Sequence, residues 1–129
     1  MPWSISFQVR GKQFKPSLVE FTFTESHDCG EIGKAGRYRG QPMPYGSANI
    51  HVPSYIPHEE RIIYIVNIAL RLLPELQRAG ATEWHVDIGR FYSTQCNEEY
   101  SPEEISLLAQ LKCPLLYSAY LVSEGLEFK

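Results

Sequence analysis

Along residues 3–10 hydrophobic and polar positions alternate without a break. Trp3, Ile5, Phe7 and Val9 fall on one face, and Ser4, Ser6, Gln8 and Arg10 on the other. A period of two in β-branched and aromatic residues marks a half-buried strand, which Gly11 closes. Lys15 to Glu20 has room for one helical turn, and Phe21-Thr22-Phe23-Thr24 favours a strand. From about Glu25 to Pro57 the alternation is lost: five of the nine glycines and four of the nine prolines lie here. Such density supplies positive φ and removes donors, so long regular elements cannot form. The stretch predicts a long loop over about 25–57 with one short strand in it, Ser47 to Val52. Loops of that length in a small domain often carry function.

From Arg61 to Ala79 the period lengthens to three and four residues. Ile62, Ile65, Val66, Ala69, Leu70, Leu73 and Leu76 make a broad apolar stripe. Pro57 and Glu59–Glu60 stand at its start, and Arg78 and Gly80 at its end, as helix termini prefer. Pro74 removes one internal hydrogen bond, which predicts a kink near Leu70 or two abutting helices. Thr82 to Tyr92 returns to period two, with Trp84, Val86 and Ile88 opposed to His85, Asp87 and Gly89. Ser93 to Tyr100 is a polar connector. Ser101-Pro102-Glu103-Glu104 is a capping box with proline at the first helical position, and Ile105, Leu107, Leu108 and Leu111 supply the buried side of that helix. Cys113-Pro114 stops it, Leu115 to Val122 is the last strand, and Ser123–Lys129 reads as a frayed tail.

These elements predict one α+β domain over residues 1–129. It has an antiparallel or mixed sheet of about four to five strands, with one long and one short helix packed on one face. Trp84, Val86, Ile88, Ile62, Val66, Leu73, Leu108 and Leu111 are its expected core. Composition adds exclusions. Hydrophobic residues at 43% and charged residues at 21% do not fit a disordered or a membrane-embedded chain. No apolar run approaches about 18 residues, and the first residues lack the shape of a signal peptide. The net charge of −3 leaves no global basic field for nucleic acid. Cys29, Cys96 and Cys113 show no paired spacing, and His27-x-Cys29 has no second pair, so neither a disulfide framework, a metal nor another cofactor is expected. Reduced thiols in a cytoplasm are the simplest setting.

Phe91-Tyr92-Ser93-Thr94-Gln95-Cys96-Asn97 ends a strand, Ser101-Pro102-Glu103-Glu104 starts a helix, and an L-x-x-P-L strand, Leu111 to Leu115, follows. Together with Gly30-Glu31-Ile32-Gly33-Lys34, Gly36-Arg37-Tyr38-Arg39-Gly40 and Pro44-Tyr45-Gly46-Ser47-Ala48, this pattern resembles a bacterial family of uncharacterised α+β domains. Some of its members look like immunity proteins encoded beside toxins. The resemblance covers most of residues 5–122. It implies a compact strand–helix fold and a bacterial cytoplasm, and it assigns no catalytic residue.

Four constellations carry candidate chemistry. Lys34, Arg37 and Arg39 against Glu31 give the glycine-rich loop 30–46 a local charge of +2; with Tyr38 and Tyr45 it is a candidate anion- or nucleotide-binding loop. Its spacing matches neither the P-loop nor the dinucleotide pattern, and a solvated turn-rich loop is the plainer reading. His85 and Asp87, two apart on one strand face and within reach of His51, resemble an oriented general base; a solvent-facing pair is the alternative. Cys96 is a candidate reactive thiol, but it lies several residues before a helix start, where the helix dipole reaches it only weakly, and Gln95 and Asn97 suit a turn. Finally, residues 94–129 carry a balance of −4. Glu98, Glu99, Glu103 and Glu104 are candidates for docking on a basic partner, although the last two also favour a helix N-terminus by themselves. The expected function is that of a non-enzymatic, immunity-like protein that occludes a toxin's active site. The alternative is a small-ligand module built on the basic loop.

Overall fold

The computed structural model describes residues 3–95 and 97–122. Its five strands are β1 (Trp3–Gly11), β2 (Glu25–His27), β3 (Gly46–His51), β4 (Glu83–Tyr92) and β5 (Leu115–Leu121), and its helices are α1 (Arg61–Arg78) and α2 (Pro102–Gln110). One mixed sheet runs β2-β3-β1-β4-β5. The first three contacts are antiparallel, and β4–β5 is parallel, joined by the crossover through α2. The α+β architecture with one long and one short helix is as the patterning predicts.

β1 is the central strand. Its odd-numbered side chains set the core: Phe7 stands opposite Ile50 on β3 and Val86 on β4, and Ile5 stands opposite Ile88. α1 lays Ile62, Ile65, Val66, Ala69, Leu72 and Leu76 on this face. The stripe therefore runs through Leu72, whereas Leu73, expected in the core, is half-buried. α1 is continuous through Pro74, so the two-helix alternative does not occur. The helix stops where Gly80 takes φ +108 and Ala81 donates to the Leu76 carbonyl at 2.9 Å.

Trp84 and Leu108 are also half-buried rather than central. The Trp84 indole needs a polar partner and donates to the Leu111 carbonyl at 3.0 Å, which holds it at the core's margin. Ile105 is 57% exposed, so of the apolar residues assigned to α2 only Leu111, just past its end, is fully buried. The strand expected over 21–24 is displaced. Val19 and Phe21 are held in a tight turn, the backbone N–H of Phe21 donating to the Val19 carbonyl at 2.9 Å, and ladder pairing starts only with Thr24 on Asn49. The tail 123–129, Cys96 and the reading of each lie outside the described residues.

The capping box forms as the sequence predicts. The Ser101 N–H donates to Glu104 Oε1 at 2.8 Å, and the Glu104 N–H donates to Ser101 Oγ at 3.1 Å. Ser101→Ala is expected to cost about 1 kcal/mol, read as a lower urea midpoint at unchanged slope.

Candidate functional site

The side of the sheet opposite α1 carries no helix among the described residues. This side takes the even-numbered side chains of β1, which strict alternation turns away from the core. Strand pairing aligns them with their neighbours. Ser6 lies between His51 on β3 and Asp87 on β4, and Gln8 between Asn49 and His85. The β2 side of this face is polar and partly self-bonded. Gln8 Nε2 donates to Ser6 Oγ at 3.0 Å, and Ser47 Oγ and His27 Nε2 lie 2.9 Å apart. Towards β5 the face becomes apolar, where Phe91 and Tyr120 stack at 5.1 Å.

Near the end of β1 the face runs into two adjoining hollows. The larger, about 630 Å³, lies between the turn after β1, the base of the glycine-rich loop and the end of α1; Arg10, Lys12, Tyr45, Gln77 and Glu83 are among its lining residues. The smaller, about 220 Å³, opens on the sheet face beside Gln8, Ser47 and His85. Arg10 and Tyr45 belong to both, the guanidinium lying over the phenol ring at 5.4 Å. His27 meets the same ring edge-on at 5.4 Å. A cation held on an aromatic face keeps its other donors free for an acceptor.

The residues singled out from sequence fall in different places. Lys34, Arg37 and Arg39 stand exposed on the loop, Arg37 lying over its neighbour Tyr38 at 5.6 Å. The loop is laced by its own backbone: Gly30 donates to Met43, Gly33 to Gln41 and Gly40 to Gly33, at 2.8–2.9 Å. Those glycine N–H groups are thereby committed to carbonyls of the loop. His85, Asp87 and His51 share the open face but form no hydrogen-bonded set. His51 and Asp87 flank Ser6 from opposite sides, two strand spacings apart, about 10 Å. The reach assumed for His51 is therefore absent; β1 lies between.

Among the acids, Glu98 is paired with Arg90 at 2.9 Å, both side chains largely buried, and Glu104 serves the capping box. Glu99 and Glu103 remain exposed. Gln95 and Asn97 are exposed in the connector. Burial pushes the Cys113 thiol up, a backbone hydrogen bond at Val86 pulling weakly the other way. Cys113 is thus held as a neutral thiol at neutral pH. Among the described residues no group of three or more His, Cys, Asp or Glu is placed to hold a metal ion, and no helix is long and apolar enough to cross a membrane.

Sequence reasoning missed Arg10, Lys12, Gln8 and Asn49. The outward orientation of Gln8 and Arg10 was legible from the alternation, but which side of the sheet the helices would cover was not. No family model matches this chain, and no curated protein and no solved structure matches it.

Proposed function

We propose that this domain is a non-enzymatic binding protein that lies over a functional site of another protein, as an immunity protein covers its toxin. The observation that supports the reading is the sheet face that carries no helix among the described residues, set with Ser, Gln, Asn, His, Tyr and Arg side chains. Such a mixture gives adaptable hydrogen bonding around aromatic anchors, the chemistry of surfaces that recognise folded proteins. Glu99 and Glu103 add negative charge of the kind that steers a basic partner, such as a nuclease with a cleft for phosphates.

The test uses the tagged domain to capture its partner from the cells that encode it, followed by binding kinetics of the purified pair. Q8R/N49R, which sets two bulky cations in the middle of the face, is expected to weaken binding at least about tenfold. E99K/E103K is expected to slow association and flatten its salt dependence. Unchanged kinetics in both variants would end this reading.

A second reading keeps the small-ligand alternative but moves it from the tip of the basic loop to its base. The specific observation in its favour is the 630 Å³ hollow, with Arg10 and Lys12 beside Tyr45. A nucleotide or other phosphate-bearing ligand that binds there should raise the melting temperature of the wild type and leave that of R10A/K12A unchanged.

A further inference from the structure

Backbone gives the 630 Å³ hollow at the end of β1 its shape. Thr82 donates its N–H to the Arg10 carbonyl at 3.0 Å, and Lys15 donates to that of Ala79 at 3.0 Å. A Cβ on Gly11 would sit 2.4 Å from the Gly80 carbonyl oxygen, so the turn after β1 and the end of α1 meet main chain to main chain. Walls fixed in this way are in place before a ligand arrives. The volume also falls within the range of about 300–1,000 Å³ that small-molecule sites occupy.

The charges around the hollow are held apart. Arg10 and Glu83 stand opposite each other on β1 and β4, a relation in which opposite charges attract. They do not pair, and among the described residues neither Glu83 nor Lys12 belongs to an ion pair. The Arg10 guanidinium lies instead over Tyr45, the residue before β3, and β3 flanks β1 on the side away from β4. The cation is thereby drawn towards β3 while the carboxylate stays on β4. Two strand spacings separate those strands, about 10 Å. A small zwitterion with adjacent charges is too short for such a gap. A nucleoside monophosphate, with its phosphate and its base edge at opposite ends, is long enough.

The carboxylate then selects the base. Ionised, Glu83 offers two acceptor oxygens and no donor. Guanine is the one common base whose Watson–Crick edge presents two adjacent donors, N1–H and the N2 amino group. Adenine and cytosine set a ring acceptor beside their amino group, and uracil sets a single N–H between two carbonyls. Each of those three turns a lone pair on the carboxylate. We propose that the hollow binds a guanine nucleotide, its phosphate held by Arg10 and Lys12 and its base edge by Glu83. The inference rests on the phosphate-ligand reading above and adds to it the base that the site selects.

The test is calorimetric titration of the intact domain with GMP, IMP, AMP, UMP and inorganic phosphate. GMP is expected to bind tightest. IMP lacks only the N2 amino group and is expected to bind about tenfold more weakly, the effect of one lost charge-assisted hydrogen bond. AMP and UMP are expected to bind no better than IMP. E83Q is expected to weaken GMP binding about tenfold with no loss of phosphate affinity, and the retained phosphate binding shows that the variant is folded. Equal binding of the four nucleotides to the wild type would overturn the proposal and leave the phosphate reading standing; this comparison needs no variant. Binding by none of the five probes would overturn both. A preference for GMP that persists in E83Q would also overturn the proposal, because Glu83 would then not be what reads the base.

Discussion

Gly46→Ala is expected to lose most of the folded population. Gly46 lies at the start of β3 beside Gly11, and a Cβ placed there would sit 1.8 Å from the Phe14 carbonyl oxygen and 3.1 Å from the Cys29 nitrogen. Those two atoms are themselves bonded, Cys29 N–H to Phe14 O at 3.0 Å. The methyl group would therefore have to displace a backbone whose side chain, Phe14, is fully buried. No flexible side chain is in the way, so nothing cheap can yield. A loss of more than about 3 kcal/mol is expected, against a total of about 5–15 kcal/mol for domains of this kind. Gly30→Ala is the contrast. Gly30 has φ +83 but open space around its missing Cβ, so only the left-handed backbone is penalised, by about 1–2 kcal/mol. Urea midpoints of the two variants measure the difference between contact and conformation. Equal midpoints would show that Phe14 can move.

Phe7→Ala is the second large effect. Phe7 is wholly buried, in the middle strand of the sheet, which is paired along both edges, and it faces Ile50 and Val86. Backbone bonded on both edges cannot close in on a void, so the cost is expected towards the upper part of the range of about 3–5 kcal/mol for such truncations. Denaturant unfolding should show the midpoint falling by a large fraction of its value at nearly constant slope. A loss below about 1.5 kcal/mol would mean that α1 settles into the space.

Local periodicity carried much of the fold into view. The alternation from Trp3 to Val9, the apolar stripe of α1 and the Ser101–Glu104 cap are each written within one turn or strand, where sequence spacing and geometry are nearly the same thing. What escaped notice depends on who lies beside whom. Phe14 belongs to the core because the turn after β1 folds under the end of α1, its neighbour Lys15 donating to the Ala79 carbonyl. Leu72 and Leu73 are equally apolar, and only the position of the sheet decides between them. In sequence Arg61 is only the first residue of the helical stretch. In the structure its guanidinium donates to the carbonyls of Ile56, Trp3 and Ser54 at 3.0–3.2 Å and ties the segment before α1 to β1. The candidate site was half legible. The outward residues of β1 were plain, but Arg10 meeting Tyr45 needs a close approach across some thirty-five residues of chain that no short motif encodes. Glu98 illustrates the converse: in sequence it is one more surface acid, and only the fold supplies Arg90 beside it.

The order of strands has a bearing on synthesis. β1 is the earliest described strand in the chain, yet its two neighbours come from positions 46–51 and 83–92. As the polypeptide emerges, the strand that ends up most deeply buried must wait for dozens of later residues before either flank is satisfied, and longer before both are. Distant closure of this sort slows folding and leaves a sticky intermediate exposed to its surroundings. The hairpin with β3 is the first shelter such a nascent chain can build, which places the glycine-rich excursion, and the speed with which it turns back, in control of how long that exposure lasts.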